Sequence, residues 1–365
     1  MAYGSITQRG DKYRVCFDYG IDREGNRVRK YRTFDTKRDA TRAFNEHKVK
    51  MDKGTQVLPS EYTFAQWLDY WYKDIILPQI EETTAYGYRG MIENYLKPQL
   101  GEIRLQKLTA RDIQQYYTWL MGEKELSPNT VIKHHNLLTN TLNAAERQEY
   151  ITKNPMRAVS PPKKRQREAK FYTPEQLGIL LDKAVGTRLE LPVFICAYLG
   201  LRRGELLALL WKDLNVKERT LSVTKSVCRI DHQLVVSQPK TKNSLRLLTL
   251  PESTVQILVE EHKKHPDNPY MFPSPKTGEM LDPASFHAMH DRILEAIGAE
   301  HVRFHDMRHT FATLALKNGV DVRTLSEMLG HYSAGFTLST YVHSTPSMRV
   351  QAADTIGQMI GREVV

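Results

Sequence analysis

Five side chains of this sequence carry reactive or phosphate-binding groups at a spacing that suggests shared chemistry. Arg202 lies in one stretch, and His305, Arg308, His331 and Tyr341 follow in the last part of the chain. A guanidinium group donates two parallel hydrogen bonds to a phosphate, and a phenol becomes a nucleophile when a neighbouring base takes its proton. The set therefore suits the attack of a phenol on a phosphodiester whose charge is held by arginines.

Each of these residues, taken alone, also has an ordinary structural interpretation. Tyr341 is one of 18 tyrosines, and His305 and Arg308 have the spacing of a surface pair on a helix. His331 follows a glycine, where helices commonly end, and Glu205 could form a structural ion pair with an arginine. Only the combination, in this order, indicates a catalytic site.

Composition and charge narrow the class of protein. The chain has 365 residues and a net charge of +10, which favours a polyanionic partner such as nucleic acid. Its three cysteines are scattered and match neither a disulfide framework nor a zinc-binding spacing. We find no apolar run of about 18 residues and no signal peptide. We therefore expect a soluble cytoplasmic protein without membrane contact, metal site or cofactor.

Three regions with different hydrophobic patterns must position the reactive residues. Residues 1–55 contain alternating strands and one helix, with Lys12, Arg14 and Asp18 on the outer sheet face. Residues 61–158 have helical periodicity throughout, beginning at the helix cap Thr63. Residues 170–365 combine helices, one of them predicted over 202–214, with three short antiparallel strands predicted over 221–230, 234–238 and 245–250. The sequence predicts a multidomain protein, mainly α with small β-sheets: a three-stranded sheet plus a helix, a helical bundle and an α+β domain.

Basic residues outside the reactive set are candidates for DNA contact. They are Arg14, Arg27, Arg29, Lys133, Lys163, Lys164 and Arg165. The first three belong to predicted strands, which can carry arginines into the major groove. Lys133 lies beside His134 and His135 on an early helical turn, and the last three belong to a linker that could neutralise phosphates. The alternative for each is an ordinary solvated surface, and for Lys133, His134 and His135 taken alone this alternative is favoured.

The reactive motifs resemble those of the tyrosine site-specific recombinases, also called integrases. They are Gly-Leu-Arg-Arg-Gly-Glu at 200–205, Pro-Lys-Thr-Lys at 239–242, His-Asp-Met-Arg at 305–308, Leu-Gly-His at 329–331, and Tyr341 followed by Val-His. The similarity spans the whole chain and is strongest for phage and conjugative-transposon integrases. It implies an arm-type DNA-binding domain at 1–55, a helical core-binding (SAM-like) domain at 61–158, and a catalytic domain with a C-terminal tail at 170–365.

The resemblance also implies a role for each motif residue in DNA cleavage. Tyr341 would attack phosphorus to give a 3′-phosphotyrosyl link and a free 5′-hydroxyl. Arg202 and Arg308 would hold the scissile phosphate, and His305 would accept the phenol proton. A free phenol has a pKa of about 10, so the nucleophile needs such a base.

Three further residues complete the implied catalytic set. Lys240, on a turn between strands, would protonate the departing 5′-oxygen, with Lys242 as a competing candidate. His331 would donate a hydrogen bond to the phosphate. Glu205 would orient Arg202 or the histidines rather than transfer protons.

The resemblance implies a recombinase that moves a mobile element into and out of a bacterial chromosome. Its partner would be double-stranded DNA with core and arm sites, and it would act near the nucleoid as a homotetramer. An excisionase and a DNA-bending protein are possible accessory partners, and the tail could dock on a neighbouring subunit or on its own domain. The alternatives are a type IB topoisomerase-like enzyme and a catalytically silent DNA-binding regulator.

Overall fold

The computed structural model describes residues 3–21, 25–52, 62–165, 171–238, 245–331, 333–341 and 354, with the side chains at 336 and 339–341 outside this description. The chain forms two compact units, residues 1–166 and 167–365. No helix in the described ranges is both long enough and apolar enough to cross a lipid bilayer.

The N-terminal region is an antiparallel three-stranded sheet covered by one helix. Its elements are β1 (Gly4–Arg9), β2 (Lys12–Ile21), β3 (Arg27–Phe34) and α1 (Lys37–Asp52), with the strands in the order β1-β2-β3. Val15 is fully buried, and the rings of Phe17 and Tyr19 meet the edge of His47 on α1. Aromatic and β-branched residues on alternate positions of β2 thus form the face that α1 covers.

A bundle of helices follows in the same unit. Its main helices are α2 (Phe64–Tyr70), α3 (Glu82–Met91), α4 (Lys97–Leu100), α5 (Ala110–Gly122) and α6 (Pro128–Arg147). Thr63 and Thr109 cap α2 and α5 through reciprocal hydrogen bonds with the third residue of each helix, which satisfies backbone donors that a helix start leaves open. Trp67 and Tyr117 are fully buried in the bundle core. Aromatic side chains of α2 and α5 therefore form part of the core of the bundle.

The second unit contains eight helices and five short strands among its described residues. The helices are α7 (Pro174–Ala184), α8 (Glu190–Leu199), α9 (Arg203–Leu207), α10 (Glu252–Lys264), α11 (Pro283–Ala296), α12 (Phe304–Lys317), α13 (Val322–Leu329) and α14 (Ala334–Tyr341). The strands are β4 (Leu214–Asn215), β5 (Thr220–Val223), β6 (Ser226–Ile230), β7 (Gln233–Ser237) and β8 (Arg246–Thr249). The apolar helix α8 lies in the core and packs against α12.

The fold class predicted from the sequence, mainly α with small sheets, is confirmed, but the strands pair differently from the expected three-stranded run. β5 lies between β4 and β8, while β6 and β7 form a separate hairpin. The strand expected over 221–230 is therefore two strands. A Cβ at Gly204 would come within 2.5 Å of the Val227 carbonyl oxygen, so the glycine permits close packing of α9 on β6. Helix α9 ends at Leu207, well short of the helix expected to reach residue 214.

Candidate active site

The end of helix α8 forms one wall of the candidate site. Gly200 closes α8 in the left-handed conformation, with φ of 59°, and a Cβ there would lie 2.4 Å from the Phe311 ring. Arg308 is 2% exposed and donates from Nη1 to the Gly200 carbonyl at 2.8 Å and from Nη2 to the Leu329 carbonyl at 2.6 Å. Glycine at position 200 thus lets α8 end against the helix that carries Arg308.

Arg202 lies directly before α9 and is held by the helix that it precedes. Its backbone N–H and its Nη1 donate to the two oxygens of Glu205, at 3.0 and 2.7 Å. Its Nη2 donates to the Gly330 carbonyl at 3.2 Å. Because both terminal nitrogens are held, the guanidinium is fixed beside the end of α13.

Three guanidinium groups converge on the C-terminal end of helix α13. Arg246 donates from Nε to the Met328 carbonyl at 2.7 Å, and Arg308 and Arg202 bind the next two carbonyls, those of Leu329 and Gly330. The last carbonyls of a helix carry partial negative charge and attract cations. The arrangement gathers three positive charges at one point, as an anion-binding site requires.

Glu205 links two of these arginines from a buried position. It is 3% exposed, and Arg246 donates to its two oxygens from Nη1 and Nη2 at 3.2 and 2.8 Å. Burial alone would raise the pKa of Glu205, but the hydrogen bonds and charge of Arg246, followed by the charge of Arg202, lower it to about 2. The carboxylate therefore stays ionised and holds the two arginines in place.

Arg246 is a residue that the sequence reasoning missed. It is the first residue of β8, a strand that the sequence predicts from its alternating apolar residues, and its side chain is only 6% exposed. Its partner Glu205 is 41 residues away in the sequence, so no local spacing relates them. The sequence does show a basic residue at the start of an otherwise apolar strand. A charge that is buried in such a strand requires a partner, and this could have identified Arg246.

We expect Arg246→Met to lower the free energy of unfolding by about 3 kcal/mol, because it leaves Glu205 buried without its principal partner. Urea denaturation of the full chain measures this change. Arg219→Met is the matched control, since Arg219 lies 3.7 Å from Glu252 and both side chains are more than half exposed. Such an exposed pair contributes less than about 1 kcal/mol. Equal losses in the two variants would contradict the structural role of Arg246.

His305 and His309 lie on the first turns of α12. Their rings meet edge to face with centroids 5.5 Å apart. His305 is exposed as a residue, yet neighbouring groups crowd its ring. This desolvation, followed by the charges of His309 and Arg308, lowers the pKa of His305. The imidazole is therefore neutral at pH 7 and able to accept a proton.

His331 is buried beside the arginines at the end of α13. It is 6% exposed, and burial, followed by the charges of Arg308 and Arg202, lowers its pKa to about 3. Its Nδ1 lies 2.8 Å from the hydroxyl of Thr337, which is fully buried on α14. This contact, which the sequence reasoning also missed, attaches α14 to the site. Tyr341 ends α14 one helical turn after Thr337.

Lys240 and Lys242 lie outside the described residues. The segment that contains them, 239–244, joins β7 to β8, and the described parts of these two strands belong to different sheets. The strand that follows this segment, β8, begins with Arg246 and is held at the site through that side chain.

The sequence left open whether the arginines of the N-terminal sheet contact DNA or are simply solvated, and in the structure they have partners within the sheet. Asp18, assigned to the outer face, is 2% exposed and accepts hydrogen bonds from Arg27 and Arg29 at 2.8 and 3.2 Å. Arg29 is directly opposite Asp18 in the pairing of β2 with β3, so the arginine side chains lie over the carboxylate and bury it. Arg14 stacks over the Tyr31 ring at 4.2 Å. These arginines remain partly exposed, but they are already oriented by neighbours.

Of the basic trio on the early turns of α6, only Lys133 is exposed. His134 lies 2.7 Å from the Tyr116 hydroxyl, and His135 lies 2.9 Å from the Tyr117 hydroxyl. Burial lowers the pKa of His134 to about 4, so it is a neutral core residue. The solvated face predicted for His134 and His135 was wrong because tyrosines of α5 supply partners that periodicity does not reveal.

The basic linker is held against the bundle at one point. Asn129, in the first turn of α6, donates to the Arg165 carbonyl and accepts from the Arg165 N–H, both at 3.0 Å. The side chains of Lys163, Lys164 and Arg165 are exposed. The end of the linker is therefore positioned while its cations face solvent.

Family models cover all three regions of the chain. The phage integrase family matches residues 170–348, a SAM-like N-terminal domain of phage integrases matches 63–121, and an arm DNA-binding domain matches 4–51. The chain belongs to the phage integrase family. This integrase is a tyrosine recombinase, an enzyme that cleaves and rejoins DNA in site-specific recombination.

Relatives resemble the integrase over nearly its full length. A tyrosine recombinase XerC-like protein of Caldanaerobacter subterraneus subsp. tengcongensis is 26% identical, over 95% of this chain and 96% of the relative. The ICEBs1 integrase of Bacillus subtilis is also 26% identical, over 96% and 98%. The Tn1549 transposon integrase, solved in complex with a circular intermediate DNA, has the same fold, with a TM-score of 0.70 at 20% identity over 81% of this chain and 99% of that one.

Proposed function

We propose that this integrase moves a mobile element of the phage or conjugative class, and that Tyr341 forms the covalent link to DNA. The observation that carries the proposal is the convergence of Arg202, Arg308 and His331 at the end of α13, with α14 attached through Thr337. A phosphate bound there would lie next to the helix that ends at Tyr341.

Arg202 and Arg308 bind the two non-bridging oxygens of the scissile phosphate. Each guanidinium is already held by a backbone carbonyl, so little rotamer freedom is lost when DNA arrives. Fixed cations stabilise the negative charge that grows on phosphorus as the nucleophile approaches. Glu205, with Arg246 behind it, keeps Arg202 in this position.

Proton transfer is divided among the remaining residues. His305, neutral at pH 7, takes the proton of Tyr341 as its oxygen attacks phosphorus, and the 5′-oxygen of the DNA leaves with a proton from Lys240. We propose Lys240 rather than Lys242 as the proton donor because of its position in the family motif. Arg246 follows six residues later and binds Glu205, so the strand after Lys240 begins beside the proposed phosphate site.

His331 acts as a neutral hydrogen-bond donor to the phosphate. When the Thr337 hydroxyl donates to Nδ1, the proton of the neutral ring resides on Nε2, and Nε2 becomes the donor. Thr337 is thus a positioning residue that selects the tautomer of His331.

We expect Thr337→Val to slow cleavage by about tenfold, the value of one hydrogen bond lost from the transition state. Valine has nearly the shape of threonine but cannot hydrogen-bond to His331. Single-turnover cleavage of a nicked duplex measures the effect. Thr337→Ser restores the hydroxyl and should recover most of the rate; a serine variant as slow as the valine variant would point to packing instead.

The cleavage rate should fall at acidic pH because His305 must be neutral to act as a base. Its pKa is lowered by desolvation and then by His309, so the rate should hold at pH 7 and fall about tenfold per pH unit only below the ordinary pKa of about 6.5. His309→Asn removes a second imidazole whose protonation opposes that of His305 and should move the inflection to higher pH. An inflection that does not move would remove His309 from this role.

The other two regions supply DNA binding around the chemistry. Residues 1–55 act as the arm-binding domain, with Arg14, Arg27 and Arg29 as contacts, and residues 61–158 bind the core site, with Lys133 near the DNA. Lys163, Lys164 and Arg165 follow the phosphate backbone at the start of the catalytic domain, which spans 170–365. The protein works on the nucleoid in the bacterial cytoplasm as a homotetramer, with an excisionase and a DNA-bending protein setting direction.

A two-site recombination assay beside a plasmid relaxation assay tests this function. The integrase should exchange strands between two sites on separate molecules, and gel-shift experiments should show a synaptic complex with four protomers. Relaxation of supercoiled DNA without exchange between paired sites would indicate a topoisomerase. Binding without any covalent adduct would indicate a silent regulator.

A further inference from the structure

Three histidines surround one carboxylate where α11 meets the loop before α12. Asp291 Oδ2 lies 3.3 Å from His287 Nδ1, and Asp291 Oδ1 lies 3.0 Å from His290 Nδ1 and 3.2 Å from His301 Nε2. We name these four residues the His–Asp cluster. None of them belongs to the recombinase motifs, so the chemistry proposed above does not use them.

The cluster has the chemistry and dimensions of a transition-metal site. Among the described residues, His287, His290 and Asp291 are the group whose donor atoms all lie within 4.8 Å of one another. A tetrahedral zinc ion with bonds of about 2.0–2.1 Å places its ligand atoms roughly 3.3 Å apart. The separations between the Asp291 oxygens and the three imidazole nitrogens match that spacing. His301 Nε2 lies outside the 4.8 Å group, so this imidazole would have to move closer to the other two when an ion binds.

The burial of the cluster resembles a site that is open on one side. The His290 side chain is 3% exposed, while those of His287, Asp291 and His301 are 54%, 39% and 58% exposed. His290 packs edge to face on Phe304, the first residue of α12, with centroids 5.6 Å apart. One ligand is therefore anchored in the protein, and the others can close on an ion that arrives from solvent.

We propose that the His–Asp cluster binds one divalent transition-metal ion of the zinc class, with His287, His290, Asp291 and His301 as ligands. Imidazole and carboxylate together suit Zn²⁺ and its spectroscopic substitute Co²⁺ rather than the oxygen-only sites of Mg²⁺ or Ca²⁺. Three of the ligands lie at positions i, i+3 and i+4 of α11, a spacing that the sequence analysis overlooked, and His301 comes from the following loop.

The ion would act on the segment that leads to the catalytic helix. His301 lies on the loop between α11 and α12, four residues before His305. Bonds from one ion to both α11 and this loop would hold the first turn of α12. Metal binding would thus stabilise the catalytic unit without entering the cleavage reaction.

Titration of the untagged, full-length protein with CoCl₂ tests the site. We expect one equivalent of Co²⁺ to give the visible absorption of a tetrahedral nitrogen and oxygen site, without the sulfur charge-transfer band that binding to Cys16 or Cys228 would produce. ZnCl₂ should displace the Co²⁺ and raise the unfolding temperature. These readouts require neither DNA nor activity, so they stand apart from the proposed function.

Variants of the exposed ligands assign the site. His287→Gln, Asp291→Asn and His301→Gln should each weaken Co²⁺ binding by at least about tenfold, while circular dichroism verifies that they fold. His265→Asn, which removes an exposed imidazole outside the cluster, should bind as the wild type does. No saturable Co²⁺ band, or three ligand variants that titrate like His265→Asn, would show a hydrogen-bonded cluster only and overturn the proposal.

Discussion

Replacing Tyr341 with phenylalanine should abolish the covalent DNA adduct while leaving DNA affinity within about twofold, because affinity comes mainly from phosphate contacts by basic residues. The substitution removes one oxygen atom, and with it the only group that we propose forms a bond to phosphorus. Among the described groups of the site, the arginines are not nucleophiles at neutral pH, and His331 is buried and hydrogen-bonded to Thr337.

A duplex with a nick near the cleavage point measures this expectation, because loss of the short fragment traps the phosphotyrosyl protein. Tyr270→Phe is the matched control: it makes the same change on another tyrosine of the catalytic unit and should trap DNA as the wild type does. An adduct formed by Tyr341→Phe would identify a different nucleophile. If Tyr270→Phe alone lost the adduct, Tyr270 would be the nucleophile.

Arg308→Lys should slow cleavage by about 10²–10³-fold, the usual cost of removing a preorganised donor from a developing negative charge. Lysine keeps the charge, but its single nitrogen cannot take both positions from which Nη1 and Nη2 reach the Gly200 and Leu329 carbonyls. In the wild-type protein both terminal nitrogens of Arg308 are held by carbonyls. We expect the loss in the rate of the chemical step rather than in DNA affinity.

Single-turnover cleavage at saturating protein separates the two effects, and urea denaturation reports any loss of stability. Arg303→Lys is the control, since Arg303 lies at the start of the same helix but pairs with Asp306 through Nε and Nη2, both at 2.8 Å. Its cleavage rate should stay close to that of the wild type. Equal rates for the two lysine variants would mean that Arg308 does not contact the reacting phosphate.

The sequence identified the motif residues, but it did not show that they meet at the end of α13. The motifs at 200–205, 305–308 and 329–331 are separated by more than a hundred residues at the widest, and only the resemblance suggested that they meet. The structure brings Arg202, Arg308 and His331 to one helix end. It leaves the Tyr341 side chain and Lys240 as assignments that still rest on the motifs.

Errors and omissions in the sequence reasoning share one physical cause. Asp18, His134 and His135 were assigned to solvated faces because they are polar, yet each has a partner on another element. Arg246 and Thr337 were overlooked because neither has a motif. A polar side chain can be buried once it has a hydrogen-bond partner, and periodicity alone carries no information on partners.

The sequence by itself determined the fold class, the family motifs and the helix starts. Each of these depends on residues that are close together in the chain: the spacing of apolar side chains, the capping residues and the residues within each short motif. Tertiary structure alone decided that Glu205 is ionised between two arginines, that Thr337 attaches α14 to His331, and that His301 joins the His–Asp cluster. The reason is that burial and pairing depend on residues distant in the chain, whose approach only the folded protein defines.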